Sequence, residues 1–94
     1  MKSFIRRLTL TEAKYHFIIL APAIPRLFPT AGNLIGLQLN GVQLKVRIDK
    51  YGRIWVGRLL TKAGITLVPG ISASLVPNGK QNFLLSFSNY RGSR

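Results

Sequence analysis

From Leu34 to Asp49, apolar and polar positions alternate with a period of two. Ile35, Leu37 and Leu39 hold one phase, Val42, Leu44, Val46 and Ile48 resume it, and Asn40-Gly41 interrupts between them. A period of two places each phase on one face of a strand. Asn-Gly supplies the positive φ angles of a two-residue type I′ turn. Pattern and turn agree on one register, with Leu39 opposite Val42, Leu37 opposite Leu44 and Ile35 opposite Val46. The opposite face carries Gln38, Gln43, Lys45 and Arg47 and is wet. A second hairpin is expected through a three-residue loop, Lys50-Tyr51-Gly52, with Gly52 left-handed. That register pairs Ile48 with Ile54 and Val46 with Val56, and sets Asp49 opposite Arg53 and Arg47 opposite Trp55. A two-residue Tyr51-Gly52 loop would instead pair Ile48 with Trp55.

Around this centre, Phe4 to Leu10 and Phe17 to Ala21 read as strands. Pro25-Arg26-Leu27-Phe28 reads as one helical turn opened by proline, and Arg58 to Ala63 as a short helix stopped by Gly64. After Pro69-Gly70, strands from Ile71 to Val76 and from Asn82 to Ser88 are joined by a Pro77-Asn78-Gly79 turn. About seven short strands with two small helices, punctuated by 5 Pro and 9 Gly, describe a mainly β chain folded as a small barrel. At 94 residues it is long enough for one hydrophobic core and too short for two. Residues 1–94 are therefore one domain. Gly92-Ser93-Arg94 has the composition of a cloning remnant, as at the end of a domain excised from a longer protein.

Charge narrows the choice of partner. Fourteen Lys and Arg face two acidic residues, Glu12 and Asp49, for a formal net charge of +12. Such a chain repels itself unless a polyanion is near, and nucleic acid gains further from the release of condensed counterions. An amphipathic membrane-surface helix would place basic and apolar residues at helical spacing, whereas here they alternate at a spacing of two. The longest apolar stretch, Phe17 to Ile24, contains Pro22 and falls far short of the roughly 20 residues that span a bilayer. The expected setting is the cytoplasm of a bacterium or the nucleus of a eukaryote, with no membrane partner.

Two acids, one His and no Cys leave few catalytic options. A two-metal nuclease needs several carboxylates and a glycosidase a pair of them. Glu12 reads as a loop or cap residue, Asp49 as the partner of Arg53, and His16 as a polar loop contact. Neither GxGxxG nor GxxxxGK[ST] spacing occurs. We therefore expect a binding module without a catalytic site, metal site or cofactor of its own. Binding chemistry is well supplied in two places, the polar segment Thr9 to His16 and the hairpin tip from Lys50 to Arg53. Arg pairs bidentately with guanine edges, Lys and Tyr reach phosphates, and Trp or Tyr stacks on bases. Trp55 reads either as a partly buried barrel residue or, beside Arg47 and Arg53, as a stacking one.

The order of these features, Leu8-Thr9-Leu10-Thr11-Glu12-Ala13 before Phe17-Ile18-Ile19-Leu20-Ala21-Pro22, then Leu27-Phe28-Pro29, a hairpin, Arg53-Ile54-Trp55-Val56-Gly57, a short helix and Leu67-Val68-Pro69-Gly70, resembles the B3 DNA-binding domain of plant transcription factors. It resembles still more the related target-recognition domains of bacterial restriction endonucleases. The resemblance spans residues 4–88. It implies a seven-stranded open pseudobarrel with two short helices that grips the major groove of duplex DNA between two arms. By position, Thr11, Lys14, Tyr15 and His16 would lie on the first arm, and Arg47, Asp49, Lys50, Tyr51, Arg53 and Trp55 on or beside the second. Arg47 and Arg53 would read bases, Asp49 would orient Arg53 or accept from cytosine, and Lys14 and Lys50 would contact phosphates. The segment Leu67-Val68-Pro69-Gly70-Ile71 lacks the acidic residue usual after that glycine in the plant domains, and the preceding helix is shorter. Both departures lie away from the arms.

The expected function is sequence-specific recognition of duplex DNA, by the target-recognition domain of a restriction endonuclease or by a transcriptional regulator. A covalently linked catalytic domain is possible, and the isolated domain is expected to be a monomer. Two rivals account for the same charge: a structural RNA-binding protein of ribosomal type, and an AbrB-type swapped-hairpin dimer.

Overall fold

The computed structural model describes residues 3–88; Gly92-Ser93-Arg94 lies outside them. The alternating hairpin forms β3 (Leu34–Leu39) and β4 (Val42–Arg47) in the expected register, Leu39 opposite Val42 through Ile35 opposite Val46. Asn40 and Gly41 both take positive φ in its turn. Strand β1 (Phe4–Arg7) pairs with β6 (Ser72–Pro77), and β6 with β7 (Asn82–Ser88). These five strands form one sheet in the order β1-β6-β7-β3-β4, antiparallel except where β7 runs parallel to β3. Strands β2 (Phe17–Ile19) and β5 (Arg53–Trp55) make a separate antiparallel ribbon. The two sheets do not close into a continuous barrel, so the fold is the seven-stranded open pseudobarrel expected.

The core lies between the two sheets. Ile18 and Ile54 from the ribbon meet Ile35, Leu37, Leu75 and Leu85 from the large sheet, all buried. Phe28 fills the end of this layer, with ring centroids 5.4 Å from Phe4 and 4.8 Å from Phe83. Helix α2 (Gly57–Ala63) contributes Leu59 and Leu60 and ends, as its sequence indicates, on left-handed Gly64, whose N–H returns to the carbonyls of Leu60 and Thr61. None of the helices among the described residues is long and apolar enough to cross a membrane.

Three local expectations are corrected. The strand expected from Phe4 to Leu10 ends at Arg7, and Thr9 instead caps helix α1 (Leu10–Tyr15). Thr9 and Glu12 form a capping box, each side chain bonding the other's backbone N–H, which satisfies donors that a helix start leaves open. The helical turn expected at Pro25 lies earlier, as a 3₁₀ turn over Ala21–Ala23 that Pro22 opens. Finally, β5 does not continue as a ladder with β4. The hairpin loop itself forms as expected: the N–H of Asp49 bonds Arg53 O at 2.9 Å, the N–H of Gly52 bonds Asp49 O at 3.0 Å, and Gly52 has φ +77°. Beyond it β5 turns away to β2, setting Trp55 opposite Phe17 and Ile54 opposite Ile18 rather than Ile48. Val56 donates to His16 O, while Ile48 bonds Gly32 and Asn33 through its own carbonyl and amide. The pairs Arg47–Trp55, Ile48–Ile54 and Val46–Val56 therefore do not form a ladder.

Candidate nucleic-acid interface

The first arm is helical, not a loop. Its foundation is Glu12, which is fully buried. One carboxylate oxygen accepts from the N–H and hydroxyl of Thr9, at 3.0 and 3.1 Å; the other accepts from Arg6 Nε at 2.8 Å and the N–H of Ile19 at 2.9 Å. Burial opposes ionisation, but the Arg6 guanidinium and the amides of Ile19 and Thr9 outweigh it and hold the carboxyl below its ordinary 4.5. The side chain thus ties β1, the start of α1 and β2 together. With Glu12 and Ala13 facing the body, Thr11, Lys14, Tyr15 and His16 are left exposed. Lys14 Nζ lies 5.4 Å from the centre of the Tyr15 ring. His16 closes the helix at φ 64°.

The second arm is organised by Asp49. Its Oδ1 accepts from the backbone N–H groups of Tyr51 and Arg53, each at 2.9 Å. Its Oδ2 accepts from Arg53 Nε at 2.8 Å and Trp55 Nε1 at 3.0 Å. Partial burial would raise this carboxyl, but the Trp55 indole, the Arg53 amide and guanidinium and the Tyr51 amide together lower it from 3.8 to about 2. Asp49 is therefore ionised and engaged by four donors, one of them Arg53 Nε.

Arg53 sits among three rings. Its guanidinium carbon lies 4.7 Å from the ring centre of Tyr51, 5.0 Å from that of Trp55 and 5.1 Å from that of Phe17. The Phe17 and Trp55 rings are 4.9 Å apart. Cation–π attraction and the bond through Nε restrict the side chain while 28% of it stays exposed. Among the described residues its terminal nitrogens make no hydrogen bond. Lys50 stands over the same Tyr51 ring, 5.1 Å from its centre. The tip is anchored at Gly52, which is buried and whose carbonyl accepts from Leu20 N–H at 2.7 Å. A Cβ there would lie 2.9 Å from Ala21 Cβ, so left-handed backbone and close approach both require glycine.

Between the arms runs a groove lined by Tyr15 and His16 from the first, Trp55 from the second, Lys45 and Arg47 from β4, and Arg58 from α2. Arg47 donates to the carbonyl of Gly32, in the segment that leads into β3. Neither Glu12 nor Asp49 lines this groove, so among the described residues its cations meet no carboxylate there. Of the ten expected site residues, the structure gathers Tyr15, His16, Arg47 and Trp55 in the groove and Asp49, Tyr51, Arg53 and Trp55 in the aromatic cluster. Thr11, Lys14 and Lys50 stay on the outer surface of the arms. Phe17 beneath Arg53 and Arg58 at the groove were missed. Their placement depends on β2–β5 pairing and on the packing of α2, for which the local sequence carries no signal.

No protein-family model matches this sequence, and no curated protein is detectably similar to it. Two solved structures share its fold. The N-terminal domain of Helicobacter pylori LlaJI.R1 superposes with a TM-score of 0.74 at 10% identity, covering 94% of this chain and 88% of that one. The hypothetical Arabidopsis thaliana protein At1g16640.1 superposes with a TM-score of 0.64 at 14% identity, covering 94% and 90%. At such identities the likeness is one of fold: this chain shares the open pseudobarrel architecture of both structures, the architecture that the resemblance read from the sequence implies.

Proposed function

We propose that this chain is a DNA-recognition domain that reads duplex DNA in the major groove, with α1 and the β4–β5 hairpin as its two arms. The reading rests on Arg53. Its Nε is bonded to Asp49 and its plane is held among three rings, which leaves the terminal nitrogens as the donors a guanine O6/N7 edge requires. A side chain already held in place loses little entropy on binding, which favours discrimination over mere attraction. Arg47, which lines the groove, is a second base-reading residue. Lys14 and Lys50 serve the phosphates, and Tyr15, His16 and Trp55 line the path between them. The domain acts as the targeting module of a restriction enzyme whose catalytic domain lies elsewhere, or as a transcriptional regulator.

Selection from randomised duplex DNA, followed by anisotropy titrations on duplex DNA, single-stranded DNA and duplex RNA, tests the reading. A short motif should emerge, with affinity that persists at raised salt. Arg53→Ala should cost about 1–3 kcal/mol on that motif and relax sequence choice, whereas Lys14→Ala should weaken all duplexes alike. No motif, RNA bound as tightly as DNA, or uniform losses for both variants would overturn it.

A further inference from the structure

The basic surface does not end at the groove between the arms. Lys45 and Arg47 also line a second depression, together with Lys80 and Gln81 of the β6–β7 turn and Asn82 at the start of β7. Neither acidic residue lines either depression, so one uncompensated cationic track runs from Arg58, past Lys45 and Arg47, to Lys80.

The far end of this track is built to hold its position. Gln81 adopts φ 58°, and its carbonyl accepts from the N–H of Gly36 at 2.9 Å, fastening the turn to β3. The Asn82 side chain donates from Nδ2 to the Lys80 carbonyl at 3.1 Å. Asn82 Oδ1 occupies the space over Gly36, where a Cβ would come within 2.1 Å of it. Glycine at position 36 thereby leaves room for the Asn82 side chain beside β3, and Lys80 stays exposed in the turn that precedes it.

We propose that Lys80 is a further DNA contact, binding the phosphate backbone beyond the bases read by the arms, so that the interface extends along this track. The inference rests on the DNA-binding function proposed above and adds to it a third element, the β6–β7 turn. A lysine can fill this role because its ammonium meets a phosphate as a compact point charge with three rotatable donors.

Anisotropy titrations over a salt series, on a duplex carrying the selected motif, test it with two variants. Lys80→Ala leaves every backbone bond of the turn in place. Arg26→Ala removes an equal charge from a different surface, near Phe4 and Pro22. Loss of one phosphate contact should lower the slope of log K against log salt by about 0.9 for Lys80→Ala, roughly an eightfold weakening at ~0.1 M salt that vanishes near 1 M. Arg26→Ala should change the slope by much less. Replacing phosphates one at a time by neutral methylphosphonates should reveal one flanking position that weakens the wild type and leaves Lys80→Ala unaffected. An unchanged slope in Lys80→Ala, or equal losses in the two variants, would overturn the extended interface while the arms still read their motif. If the wild type binds no duplex at all, the function proposed above fails first, and this inference with it.

Discussion

Each arm is organised by one carboxylate, and the two work in opposite settings. Glu12 is fully buried and draws its donors from three elements: Arg6 on β1, Thr9 at the start of α1 and Ile19 on β2. Asp49 is half-buried, and its four donors, from Tyr51, Arg53 and Trp55, lie within six residues of it. In a chain of net charge +12 with only two acids, one acid joins the body of the fold and the other shapes a surface. Long-range anchoring makes the first arm part of the core. Local anchoring gives the second arm a side chain, Arg53, that is held at its base and open at its end.

The contrast predicts that the same loss of a carboxylate is costly at the first arm and mild at the second. Glu12→Ala would leave the Arg6 guanidinium, the Ile19 amide and the helix cap without their acceptor. Removing one partner of a buried pair typically costs 3–5 kcal/mol. Arg6 retains 25% of its side-chain exposure, which places the expected loss near the low end, about 3 kcal/mol. Urea unfolding should show a lower midpoint with an unchanged m-value. A loss no greater than that of the Asp49 variants would break the distinction between body and surface.

Gly52 sharpens the comparison from within the second arm, because it is where the local hairpin meets the body. Gly52→Ala must hold a side chain at φ +77° and bring its Cβ to 2.9 Å from that of Ala21. A left-handed residue alone costs roughly 1–2 kcal/mol, and the contact adds to it, so about 2 kcal/mol of stability should be lost in the same unfolding assay. Gly41, also at positive φ, has open space where its Cβ would stand. Gly41→Ala should therefore cost only the backbone part. If both cost the same, Gly52 is not an anchor.

The same division separates what was legible in the sequence from what was not. The β3–β4 hairpin could be read down to its register because alternation and an Asn-Gly turn are both local. The Asp49–Arg53 pair was legible for the same reason, since the loop that joins them fixes their spacing. Thr9-x-x-Glu12 carried a capping-box signal too, but the alternation of Phe4, Leu8 and Leu10 pointed to a longer strand and hid the helix. What could not be read depends on contacts distant along the chain. The β2–β5 ribbon draws β5 away from β4, puts Phe17 under Arg53 and sends the Trp55 indole to Asp49. The basic groove likewise depends on where α2 sets Arg58.

The smallest expected effect concerns Asp49 and can be isolated by pH. In Asp49→Asn, the side-chain oxygen can still accept from the amides of Tyr51 and Arg53. The new NH₂, however, would face two further donors, Arg53 Nε and Trp55 Nε1, and the ion pair is lost. The site is partly exposed and screened, so the cost near neutral pH should be about 1 kcal/mol. The folded-state pKa of Asp49 is depressed, from 3.8 to about 2. Its contribution is therefore present in full above the unfolded value and is lost as protons bind between about pH 4 and 2. Glu12 is also depressed and loses its contribution on acidification in both proteins, so it cancels in their difference. The stability gap between wild type and Asp49→Asn should hold steady from pH 7 to about 5 and close towards pH 2. A gap that persists to pH 2 would mean that the variant disturbs hairpin packing rather than the charge. A gap that closes, together with sequence discrimination in Asp49→Asn falling to the level of Arg53→Ala, would identify the carboxylate as the group that holds Arg53 for reading.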